Sequence, residues 1–140
     1  MTLEERNLWF STALGMAAFA VYAFVLFVRL TDHPPSEVAW AGPMLWTVCI
    51  AGGLYAAFYL VDRLLHRGTT VSDPRDEEIR RFGESISKGL VDLAALAAIV
   101  MLALDVHAFW VAHTLFVAGF VGAMIGSLAK ISAYREGLPT

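Results

Sequence analysis

One cysteine, Cys49, is all the thiol chemistry this chain has. An intramolecular disulfide, a Cys-x-x-Cys redox pair and a cysteine-built zinc site are excluded, and quinone-linked thiol oxidation with them. Charge is equally scarce, at 16% Asp, Glu, Lys and Arg against 58% hydrophobic residues. A soluble domain of 140 residues needs more polar surface than this to cover its apolar segments. Gly-rich phosphate loops, His-Glu-x-x-His, Gly-x-Ser-x-Gly and kinase-type signatures are also missing from the sequence. These absences leave no catalytic residue to name and no cofactor to expect.

What the chain does have is long apolar runs, Leu8 to Val28, Val38 to Val61, Gly89 to Leu104 and Val106 to Ala129. Each is close to the ~20 residues that cross a bilayer hydrocarbon core. Backbone in lipid must satisfy its own hydrogen bonds, and runs without strict alternation do so as helices rather than as a closed barrel. The expected fold is all-α: an integral membrane bundle of four transmembrane helices in two antiparallel hairpins. Spans at about 8–28, 38–61, 86–104 and 106–129 form one transmembrane domain over 1–140, with a loop at 62–85. The start, Thr2-Leu3-Glu4-Glu5-Arg6, runs straight into a full-length span without a basic leader, so the first helix is expected to be retained.

The ten basic residues are unevenly placed. Arg6, the six from Arg63 to Lys88, and Lys130 with Arg135 fall on one face of the four-span pattern, and only Arg29 falls on the other. Basic loops stay in the cytoplasm, which predicts both termini inside, in a bacterial inner membrane. The six central cations are interleaved with Asp62, Asp73, Asp76, Glu77, Glu78 and Glu84, a mixture unsuited to nucleic acid.

Pro34-Pro35 ends the first helix, Ser36 is suited to cap the second, and Pro43 is expected to lie inside that second helix and bend it. Asp73-Pro74 opens the third helix, with Asp76, Glu77 and Glu78 in its first turn. Ile79, Phe82, Ile86, Leu90 and Leu93 continue one apolar stripe into the third span, so a single helix from Pro74 to Leu104 is expected. At about 46 Å it exceeds a ~30 Å core, and about three turns should project into the cytoplasm or lie along the interface. Gly83 and Gly89 are its points of weakness. A short turn at Asp105-Val106-His107 leads into a fourth helix whose Gly119, Gly122 and Gly126 are built for close packing, against the third helix or a second copy.

Two ionisable groups lie within the spans. Asp92 is either a proton or cation relay, or a carboxylate near the inner headgroups paired with Lys88 one turn away. His113 is either a proton-handling group or ligand, or a structural histidine bonded to a neighbouring helix. A haem held by two histidines would need a second His at matching depth, and His33, His66 and His107 all lie near helix ends. His107, Asp105, Asp32, His33 and Glu37 match no metal motif and suit polar turns. Small multidrug exporters are similar in hydropathy, but they depend on an acidic residue in the first span, and Leu8 to Val28 has none.

From Asp73-Pro74-Arg75-Asp76-Glu77-Glu78-Ile79 through the second hairpin to Ser132-Ala133-Tyr134-Arg135-Glu136-Gly137, the chain resembles a group of uncharacterised bacterial four-helix inner-membrane proteins. These carry an Asp-Glu-Arg-Asp type motif before the third span and a Tyr-Arg-Arg-Gly type ending. This chain departs from them at Pro74 and Glu136. The resemblance implies an inner-membrane protein, in some cases accompanying a DNA-binding regulator, and no catalytic residue. It directs attention to Asp73, Arg75, Asp76, Glu77, Arg80, Arg81, Tyr134 and Arg135 as either a latch between helix ends or a docking surface. The expected role is therefore non-catalytic: an interaction, regulatory or complex-subunit protein in the lipid bilayer, self-associating or bound to another membrane or cytoplasmic protein. The alternatives are a small proton-coupled transporter or channel using Asp92 and His113, and a cofactor-binding redox subunit.

Overall fold

In a computed structural model, residues 3–65 and 74–136 are described, and they form four helices with no strand among them. α1 (Leu3–Asp32), α2 (Ala41–Leu65), α3 (Pro74–Ala103) and α4 (Ala108–Glu136) are each long and apolar enough to cross a membrane. The chain is a multi-pass membrane protein. It divides into two compact units, 1–70 with α1 and α2, and 71–140 with α3 and α4.

In the first unit α1 runs past Arg29 to Asp32, where the His33 N–H still donates to the Arg29 carbonyl at 3.1 Å. Pro34-Pro35 then stops the helix, since neither residue has an N–H to offer. Ser36 does not cap α2. It lies in a tight turn in which the Glu37 and Val38 N–H groups donate to the Pro34 carbonyl at 2.9 and 3.2 Å. Val38, expected in the second span, instead plugs this loop and is buried. The helix begins only at Ala41, with the Met44 N–H donating to the Trp40 carbonyl at 3.1 Å. Pro43 therefore falls in the first turn, where its missing N–H has no intrahelical acceptor to lose, and the expected mid-helix distortion has no cause.

In the second unit α3 is one helix of 30 residues, as its stripe predicts, and its end is a Schellman turn. The Val106 N–H donates to the Met101 carbonyl at 2.9 Å and the Asp105 N–H to the Leu102 carbonyl at 3.1 Å. Asp105 takes the left-handed conformation, φ 55°, that this turn requires. Its short polar side chain tolerates that conformation better than most. His107 caps α4, its ring Nδ1 accepting the Phe109 N–H at 3.2 Å. The capped, four-residue connection sets α3 and α4 side by side.

Glycine sets how closely they approach. A Cβ on Gly126 would lie 2.7 Å from the Gly83 carbonyl oxygen, and one on Gly83 would lie 2.7 Å from the Gly126 oxygen. Gly122 faces the Ser87 backbone in the same way, 3.1 Å from its oxygen. Gly83, expected as a bend point, is instead the place of backbone contact. Around it Ile79, Ile131 and Ala133 are buried, so the early turns of α3 pack against the last turns of α4.

Candidate functional site

The charged start of α3 is zipped along its own helix. Arg80 makes two hydrogen bonds to Glu77, at 2.8 and 2.9 Å, and two to Glu84, at 2.8 and 3.0 Å. Arg81 donates to Glu77 at 2.8 Å. These are the three- and four-residue spacings at which helical side chains meet. Exposed pairs of this kind add little to stability, and here they set the guanidinium groups beside the carboxylates of their own helix. Arg75, Arg80 and Arg81 are exposed, whereas Ile79 between them is fully buried. One face of these turns is thus anchored to the hairpin and the other presents charge to the surroundings.

Glu77 is occupied by two arginines of its own helix, so it does not supply the latch to Arg135. At the end of α4, Tyr134 is half-buried beside buried Ala133, and Arg135 is exposed. Asp73, His66 and the side chain of Asp76 lie outside the described residues. Lys130 lays its stem over Gly83, its Cγ 2.5 Å from where a glycine-replacing Cβ would be. Gly119 differs from Gly122 and Gly126 in having open space on its Cβ side.

Asp92 pairs with Lys88 at 3.3 Å, the i, i+4 partner named from sequence, and both side chains are well exposed, at 63% and 78%. Counted from Ala103 at 1.5 Å per residue, Asp92 is about 16 Å along α3, near the middle of a ~30 Å core. A carboxylate at that level costs about 2.5–3.5 kcal/mol on insertion scales, so its surroundings matter. His113 makes a hydrogen bond within its own helix. Its Nδ1–H donates to the Phe109 carbonyl at 2.6 Å while the ring lies on Phe109, centroids 4.1 Å apart. Asp92 and His113 are not brought together, because Asp92 is on the side of α3 turned away from α4.

The first unit holds polar groups that sequence reasoning passed over. Asp62 near the end of α2 accepts from Arg6, in a salt bridge, and from Asn7 Nδ2 at 3.1 Å, and its side chain is only 12% exposed. Arg29, the single basic residue on its face, donates to the Ala39 carbonyl at 2.5 Å and closes the loop before α2. Both roles were signalled by charges placed at the two ends of a helical hairpin. Between these clamps Phe10 stacks on Phe58, centroids 3.9 Å apart, and farther along α1 and α2 enclose an apolar groove of about 400 Å³. Leu14, Tyr22, Pro43, Trp46 and Ile50 are among its walls. Among the described residues no three His, Cys, Asp or Glu side chains gather in a way that would hold a metal ion.

Compared with protein-family models, with curated proteins and with solved structures, the chain matches none.

Proposed function

We propose that this protein is a non-catalytic membrane component that docks a soluble partner on the charged start of α3, with that region and both termini in the cytoplasm. The observation that carries the reading is the two-sidedness of these turns: Ile79 is fully buried while Arg80 and Arg81 stand exposed in a fixed network with Glu77 and Glu84. A surface held in one arrangement before binding loses little side-chain freedom on association. Opposed charges steer encounter and discriminate between partners more than they add affinity. The basic-residue asymmetry favours the cytoplasm as the side on which that partner is met. The resemblance to bacterial inner-membrane proteins that accompany regulators agrees with such a role and adds no residue to it.

Reversing Arg75, Arg80 and Arg81 to Glu tests it. Chemical cross-linking in native membranes should capture a soluble partner with the parent chain and lose it with the triple variant, at equal membrane insertion. A partner retained by the variant, or none captured by either, overturns the reading.

A further inference from the structure

The α3 face opposite α4 carries two features together. At 3.6 residues per turn, Lys88, Gly89 and Asp92 fall within about 100° of one another, on the far side of the helix from Ile79, Gly83, Leu90 and Ala94. Ala94 is buried and Gly83 is in backbone contact with α4, whereas a Cβ on Gly89 would meet nothing within 4 Å. The first feature is an exposed ion pair, with Asp92 about 16 Å from the Ala103 end of α3, on a side that α4 does not cover. The second is a glycine next to it that lets another helix come close.

From these we infer that α3 associates with α3 of a second copy of this chain in the membrane, through Lys88, Gly89 and Asp92. Charge complementarity selects the occupant. From Asn7 to Val28 in α1, from Ala41 to Val61 in α2 and from Ala108 to Ala129 in α4 there is no charged residue. Within this protein only another α3 carries the matching charges. In a dimer with its two-fold axis along the membrane normal, equal residues meet at equal depth. Lys88 Nζ already reaches its own Asp92, so both charges stand at one level. Two copies then place four charges of alternating sign in a ring, and each ammonium gains a second carboxylate. Gly122 and Gly126, the small-residue pair that sequence alone offers for self-association, are occupied by α3. This inference is independent of the docking surface, which lies about two turns nearer the start of α3.

The test uses the full chain with Cys49→Ser, reconstituted in phosphatidylcholine vesicles as donor- and acceptor-labelled populations and diluted with lipid. The parent should show energy transfer that falls on dilution. Asp92→Asn and Gly89→Leu should each weaken association about tenfold. Lys88→Asp and Asp92→Lys should each weaken it singly and restore it when combined. A Gly89→Cys variant should form a chain-to-chain disulfide on oxidation. Gly89→Ala, which meets no neighbour and raises helix propensity, is the folding control and should keep helicity and unfold at a temperature no lower than the parent. The inference is overturned by a monomeric parent at the highest protein-to-lipid ratio. Association indifferent to both Asp92→Asn and Gly89→Leu, or a photoreactive probe at 89 that labels only lipid or the α1 and α2 of its own chain, overturns it equally. Capture of a soluble partner reads a different surface, so the two proposals can fail separately.

Discussion

The two hairpins are built from similarly apolar helices and yet are held together differently. In the second, α3 and α4 meet backbone to backbone at Gly83 and Gly126, with Ser87 on Gly122 extending the contact. In the first, α2 has no buried residue, Gly52 and Gly53 face open space, and a groove of about 400 Å³ separates the helices. The first hairpin is closed at its ends instead, by Arg6 and Asn7 on Asp62 and by Arg29 on the Ala39 carbonyl. The difference teaches that hydropathy does not predict packing in lipid. Acyl chains are as apolar as Leu, so helix association follows from how closely backbones approach and from polar bonds. The rings of Phe10 and Phe58 stack between α1 and α2, whereas glycines on facing sides bring α3 and α4 together.

The largest effect should come from filling the glycine contact. Gly126→Leu forces a side chain into the Gly83 carbonyl, whose oxygen is 2.7 Å from the first added atom, and backbone has little room to yield. A loss of about 3 kcal/mol or more is expected, at the upper end of overpacking penalties. Thermal unfolding in mild detergent measures it, and a variant as stable as the parent would mean that the contact does not hold the hairpin. Next comes the clamp of the other hairpin. Asp62→Ala removes two hydrogen-bonded partners, one of them charged, and is expected to destabilise by about 1–2 kcal/mol, part of the value being discounted because Arg6 is half exposed. Faster proteolysis at the α1 and α2 ends should report it, and Asp62→Asn should recover part of the loss. The smallest change has the opposite sign. Gly53→Ala places a methyl group in open space and raises helix propensity, stabilising α2 by up to about 1 kcal/mol. A measured loss there would show that the α2 glycine face is packed in the membrane, and would narrow the contrast between the hairpins.

Most of the architecture was legible in advance, for physical reasons. A run of about 20 apolar residues has few alternatives to a transmembrane helix, and Pro74, the acidic first turn and an unbroken stripe identify the start and length of α3. The boundary of α2 was not legible. Ser36 is a sound cap by type, but the chain uses Pro34 and Arg29 to fold a longer loop, and Val38 is apolar because it plugs that loop. Gly83 was visible as a residue, but its backbone contact with Gly126 was not, because a glycine's effect depends on what lies across from it. Asp92 was legible as the partner of Lys88, because the two lie four residues apart on one helix.

By itself the sequence determined the class of solvent, the number of crossings, the uneven distribution of basic residues and the helical charge network around Arg80. These depend on composition and on spacings of three and four residues, which are local. Only the tertiary structure decided that Gly122 and Gly126 of α4 are used on α3, that Asp62 and Arg29 hold α1 to α2 and its loop, and that Lys88 and Asp92 face away from α4. Which face of a lipid-embedded helix meets another is set by short-range contact between partners distant in sequence. The hydrophobic effect, which orients a helix in water, is nearly silent between helices in lipid.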